Sequence, residues 1–142
     1  MKARIFLLGL LTFLCVLSGC GGGAQAYEAY EDGVFSGRSG ADDTGAYGEV
    51  TVTVTDGVIT DCRFVTWQED GSLKDEEYGK VNGAISNQAY YNSAQLAVRA
   101  MERYAEQFVE VKTLDGVDAI TGATISHDQF IEAAEEALAG AK

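Results

Sequence analysis

Histidine occurs once in these 142 residues, cysteine three times, proline never, and Lys and Arg together number 10 against 22 Asp and Glu. Each scarcity excludes a class of function. One histidine and three cysteines do not furnish a four-ligand zinc site. The lone His127 leaves little room for a Ser-His-Asp or Cys-His catalytic device. A formal net charge of −12 argues against nucleic acid as a partner, because a phosphate backbone is held by cations. The chain also lacks the glycine pattern of a dinucleotide-binding turn, which weakens the case for a reductase with its own substrate pocket. What remains is ordinary for a folded protein: 46% of the residues are hydrophobic, enough for one domain with a real core.

A long apolar run occurs only at the start. Lys2 and Arg4 precede Ile5 to Leu17, which is apolar apart from Gly9 and Thr12, the layout of a signal peptide. About 20 apolar residues are needed to span a bilayer, so the run is too short to remain as an anchor. Leu17-Ser18-Gly19-Cys20 resembles the bacterial lipobox. That resemblance implies removal of residues 1–19, acylation of Cys20, and stable attachment to the extracytoplasmic face of a cell membrane. Removal takes away two cations and no anion, so the charge moves from −12 to −14. Attachment must then come from lipid rather than from a basic patch. Residues 20–31, in which Gly21-Gly22-Gly23 follows Cys20, read as a flexible tether ahead of a domain at 32–142. With Cys20 spent on lipid, Cys62 has no partner for an intrachain disulfide.

The domain reads as α+β. Val34 to Gly37 is a short first strand or edge. Val50, Val52 and Val54 alternate with threonines, Asp56-Gly57 is a two-residue hairpin turn, and Val58 to Trp67 is the return strand. Cys62 and Phe64 share one face of that strand, which makes Cys62 a small buried hydrophobe rather than a reactive thiol. Gln68 to Gly83 is polar around Asp75-Glu76-Glu77 but lacks the ligand spacing of a calcium loop, and reads as a solvated face. Tyr91, Ala94, Val98, Met101, Ala105 and Phe108 mark one stripe of a helix over 88–108, with Arg99 and Arg103 off the stripe. Val109 to Lys112 suggests another short strand. Ser126 and Gln129 form a capping-box pair that opens a last helix with Phe130, Ala134, Ala137 and Leu138 on its apolar face and Gly140 at its end. The expectation is a small antiparallel sheet, with its hairpin at Asp56-Gly57, packed with a long helix and a C-terminal helix.

The chemistry-bearing segment is Asp118-Ala119-Ile120-Thr121-Gly122-Ala123-Thr124. It is a turn of small residues with two hydroxyls that delivers Thr124 to a helix N-terminus, where unpaired backbone N–H groups and the helix dipole favour an anion. Gly122 can take a positive φ, and Ala123 keeps the surroundings open. A purely structural alternative has Thr121 and Thr124 shaping a turn and capping a helix.

These residues resemble the FMN-binding domain family, found in peripheral subunits of the sodium-pumping NADH:quinone oxidoreductase, in the Rnf complex and in small lipoproteins of extracytoplasmic electron transfer. The family motif is Asp-x-x-Ser/Thr-Gly-Ala-Thr, and Asp118, Thr121, Gly122, Ala123 and Thr124 match it throughout. The resemblance implies FMN as a covalent phosphodiester on Thr124, attached by a separate flavin transferase from FAD with magnesium. It further implies electron transfer between a membrane dehydrogenase or quinone pool and an external acceptor. Trp67 and the tyrosines at 47, 78, 90 and 91 are candidate stacking partners for the flavin ring or else core residues, and His127 reads as an exposed first-turn residue. The rival from a different class is a structural or solute-binding surface lipoprotein that never carries flavin.

Overall fold

The computed structural model describes residues 30–142. The expected signal peptide, Cys20 and most of the tether lie outside the described residues. Tyr30 and Glu31, the last two residues of that tether, are already hydrogen-bonded to the domain, Tyr30 N to the Gly57 carbonyl (3.4 Å) and Glu31 N to the Ala141 carbonyl (2.7 Å).

Three antiparallel strands, β1 (Gly33–Arg38), β2 (Tyr47–Thr55) and β3 (Val58–Trp67), lie in sequence order in one sheet. Val50, Val52 and Val54 of β2 are buried while the threonines between them turn to the open face, which is the alternation of a half-buried strand. Asp56 (φ 53°) and Gly57 (φ 72°) both adopt left-handed backbone conformations, as a hairpin turn that continues the strand twist requires. The Asp32 carboxylate accepts from Gly57 N at 2.8 Å and ties the chain's entry to that turn.

Two helices cover the other face: α1 (Gln88–Val111) packs against β3 and α2 (Thr124–Ala139) lies across β1 and β2. Asn87 caps α1, its side chain accepting from Tyr90 N at 3.0 Å. Val109 to Lys112 does not form the expected short strand. Those valines complete α1, and Lys112 closes it in the left-handed conformation (φ 62°) with its N–H on the Phe108 carbonyl. The Lys112 ammonium further binds the carbonyls of Val109 (2.5 Å) and Ile59 (2.6 Å). β-Propensity loses here because the helix end is stitched to β3 and Val109 packs on the core. On α2, Ala133, Ala134 and Ala137 are fully buried, and Gly37 of β1 lies against the α2 backbone at Ala133 and Ala137, where no Cβ would fit. Phe130 joins the layers, with its ring centroid 5.2 Å from Phe64, 5.8 Å from Phe108 and 6.0 Å from Tyr104.

Candidate functional site

After α1 a single 3-10 turn, Leu114–Gly116, leads to buried Val117 and then to the motif. No secondary-structure ladder holds residues 118–123, so their backbone groups need partners from elsewhere. Two side chains supply them, and a third holds Val117 just ahead of the motif. Gln107 on α1 brackets Asp118, its Oε1 accepting from Asp118 N (2.9 Å) and its Nε2 donating to the Asp118 carbonyl (3.4 Å). Tyr104, fully buried one turn earlier on α1, accepts from Ile120 N (2.9 Å) and donates to the Ala123 carbonyl (3.0 Å). Burial pushes the Tyr104 pKa up, so the hydroxyl keeps the proton it donates. From α2, His127 Nε2 donates to the Val117 carbonyl at 2.9 Å. A carbonyl can only accept, so this nitrogen carries the hydrogen. The His127 ring stands edge-on to Tyr104 at 5.3 Å between centroids. His127 is thus half-buried and engaged, not the exposed first-turn residue expected.

Within that clamp Ala123 N closes a turn onto the Ile120 carbonyl (2.9 Å), with Gly122 at φ +85°. A glycine is required there because an L side chain at this φ is strained. A Cβ on Gly122 would lie 2.9 Å from Leu96 Cδ2 of α1. Leu96, Arg103 and Gln107 share one face of α1 by their spacing of seven and four, so a row of this helix runs beside the motif with a cation in it. Arg103 is exposed and paired with Glu106 at 2.8 Å.

α2 starts three residues earlier than the sequence suggests. Ala123 is its N-cap and offers no side-chain hydrogen bond. Ser126 lies inside the first turn, and Gln129 is not its capping partner. Gln129 is buried on the sheet side, its Nε2 donating to the Ala46 carbonyl (3.0 Å) and to the Asp42 carboxylate (3.4 Å). The first helical bond runs from His127 N to the Ala123 carbonyl. The preceding amides, on Thr124, Ile125 and Ser126, therefore form the uncapped end of the helix. The first turn has no acidic residue. Thr124 and Thr121 are exposed, as are Asp118 and Gly122, while Ala123 is buried. The motif thus comes together as one surface, but Asp118 is held through its backbone rather than its carboxylate.

The five aromatics considered as stacking partners do not gather at the motif. Tyr47 lies under the Arg38 guanidinium, 3.3 Å from its carbon to the ring centroid. Trp67 faces Tyr47 across the β2–β3 ladder, with its indole nitrogen buried and unpartnered. Tyr78 and Tyr90 line a cleft with Gln68, and Tyr91 hydrogen-bonds to the Glu76 carbonyl. Sequence reasoning missed Tyr104, Gln107 and Leu96. A second stripe on α1, at 96, 100, 103, 104 and 107, was the signal that could have found them.

An uncapped helix end bearing an exposed hydroxyl suits a phosphate, whose oxygens accept from backbone N–H groups. The family model for the FMN-binding domain matches residues 45–139, more than half of the chain. The crystal structure of the CPE2226 protein from Clostridium perfringens is similar, with a TM-score of 0.63 and 24% identity over 79% of this chain and 88% of that one. At that identity the likeness shows a shared fold alone. Nothing among curated proteins matches the chain.

Proposed function

This chain belongs to the FMN-binding domain family and has FMN as its cofactor, and we propose that the flavin is covalently esterified to Thr124 of a membrane-anchored electron carrier. The observation that carries the reading is the exposed Thr124 hydroxyl in the first turn of α2, beside three uncapped amides and behind an N-cap residue with no side-chain acceptor. The amides of Thr124, Ile125 and Ser126 would donate to the phosphate oxygens, an interaction worth about 0.3–1 kcal/mol when exposed. Gly122 and Ala123 keep the approach unobstructed, and Tyr104, Gln107 and His127 hold the loop in place. FMN, when bound, supplies one- and two-electron chemistry that the side chains do not.

An unactivated threonine hydroxyl is a weak nucleophile, and the one imidazole nearby is committed to Val117. Activation therefore belongs to a flavin transferase working with FAD and magnesium. The Thr124 oxygen bonds to the FMN phosphorus, AMP departs, and the hydroxyl proton passes to the transferase. Covalent attachment suits a protein of net charge −12, which repels a free dianion. The Leu17 to Cys20 segment supports lipid attachment on the extracytoplasmic face. There the carrier would exchange electrons with a membrane dehydrogenase or the quinone pool and with an external acceptor.

Intact-mass analysis after co-expression with a flavin transferase tests the attachment. The expected result is FMN minus one water on the parent chain and on Thr121→Ala, and none on Thr124→Ala. FMN retained on Thr124→Ala with Thr121→Ala bare would move the site to Thr121. Fractionation tests the anchor: Cys20→Ala should accumulate uncleaved or leave the membrane, and correct cleavage with unchanged membrane partition refutes lipidation.

A further inference from the structure

The sheet is one strand short of the helix beneath it. β3 is an edge strand, and α1 packs along it with Met101 and Ala105 buried but Val98 and Val109 only half-buried. Val98, Met101, Ala105 and Val109 face Cys62 and Phe64 across an open groove of about 770 Å³. The groove follows α1 from Val98 to Glu110, roughly 18 Å at about 1.5 Å per residue. Five or six extended residues at about 3.3 Å each cover the same length.

The backbone along this edge is closed at both ends and open between them. Lys74 N donates to the Thr66 carbonyl at 2.9 Å, and the Lys112 ammonium donates to the Ile59 carbonyl at 2.6 Å. Phe64 and Cys62 alternate with Thr66 along β3, so their N–H and C=O groups turn to the same side as that carbonyl. Among the described residues no strand pairs with them there. The rim is anionic: Asp61, Asp75, Glu76, Glu102 and Glu110 stand against Arg63 and Lys74, while Glu106 is paired with Arg103. An occupant must therefore be extended, apolar on one side and cationic.

With residues 1–19 removed and Cys20 acylated, as proposed above, the chain ahead of Tyr30 is residues 21–29, which contain Glu28 and no cation and so do not meet that description. A second copy, with the same net charge of −12, does not either. We propose that the groove binds a partner protein by strand addition. An extended partner segment pairs with Cys62 and Phe64 as a fourth strand, sets apolar side chains on Val98 and Val109, and sets Lys or Arg side chains on the acidic rim. The motif borders the opposite side of α1, the row of Leu96, Arg103 and Gln107, so this interface is separate from the flavin surface and does not depend on it.

The probe is a fluorescent hexapeptide alternating Lys with Val, compared with Glu–Val and Lys–Gly peptides, on the purified protein in low salt. Binding is expected for Lys–Val alone, with alkylation of Cys62 slowed at least tenfold at saturation. The double variant Glu102→Lys/Glu110→Lys should weaken binding at least tenfold. Glu132→Lys/Glu135→Lys, with the same change in net charge on exposed positions of α2, should change it less than twofold. Equal binding of the Lys–Gly peptide, equal losses from the two double variants, or Cys62 left unprotected would overturn the proposal. A more than tenfold gain in affinity on deleting residues 21–29 would assign the groove to the chain's own segment and overturn it as well.

Discussion

Tyr104→Phe removes one oxygen from the middle of the fold and leaves the ring that packs on Phe130 and His127. Two backbone groups lose a partner. Ile120 N has no other acceptor among the described residues, and an N–H left unsatisfied costs about 1–3 kcal/mol when buried. Ile120 is only half-buried, which puts its share at the lower end of that range. The Ala123 carbonyl keeps His127 N at 3.1 Å, so it forfeits only a net hydrogen bond of about 1 kcal/mol. Together the loss is about 2 kcal/mol, or roughly 8 °C in Tm for a domain of this size. Urea unfolding reads the loss directly, with the midpoint lowered and the slope m unchanged. The freed loop should also reduce the fraction of chains carrying flavin on Thr124. A variant within 0.5 kcal/mol of the parent would mean that Tyr104 does not hold the loop, and the account of a clamped attachment site would fail with it.

Gly122→Ala should cost about 1–2 kcal/mol from the left-handed backbone alone. Leu96→Ala in the same chain should relieve the 2.9 Å contact but not the backbone strain, so complete rescue in thermal melts would contradict the assignment. Gly37→Ala should be far worse, about 3 kcal/mol or more, because its Cβ meets α2 backbone rather than a movable side chain; a folded variant with near-parental stability would refute the close packing of β1 on α2. Burial, followed by the neighbouring Asp61, pushes the Cys62 thiol up to about 12. Its alkylation rate should therefore keep rising about tenfold per pH unit through pH 9 to 11, and a plateau near 9 would refute the burial. The same raised pKa stabilises the fold below pH 9 and loses that contribution as pH climbs toward 12, so unfolding free energies of parent and Cys62→Ala should converge over that window.

Much of the fold was legible because it rests on local patterns. The threonine–valine alternation of β2 and the Asp56-Gly57 turn define the hairpin without tertiary information, and the stripe of α1 follows from its spacing. The strand expected at 109–112 went wrong because valine's β preference is a local signal and the stitching of Lys112 to Ile59 is not. The motif located the candidate attachment residue by a sequence resemblance. The means of holding it were not legible, because Tyr104 and Gln107 lie on the preceding helix and differ in no visible way from other residues of its surface and core. Only the packing shows that their polar atoms end on backbone groups of the loop.

The misplaced start of α2 bears on the chemistry. A cap at Ser126 would put Thr124 in the loop ahead of the helix, with its hydroxyl outside the first turn and the serine oxygen occupying one of the free amides. With Ala123 as N-cap, Thr124 is the first helical residue and no side chain among the described residues competes for the amides beside it. The capping-box rule misread Ser126 because Gln129, the acceptor it needs, is drawn to the sheet by the Ala46 carbonyl. An alanine at the cap is a poor helix starter by about 1 kcal/mol relative to serine or aspartate. That cost is offset when an anion settles on the exposed end. The flavin-bearing chain should accordingly melt above the unmodified chain, and the difference should shrink in Ala123→Ser, whose hydroxyl already serves one of those amides. An equal flavin-dependent shift in both chains would show that the phosphate does not reach the helix end.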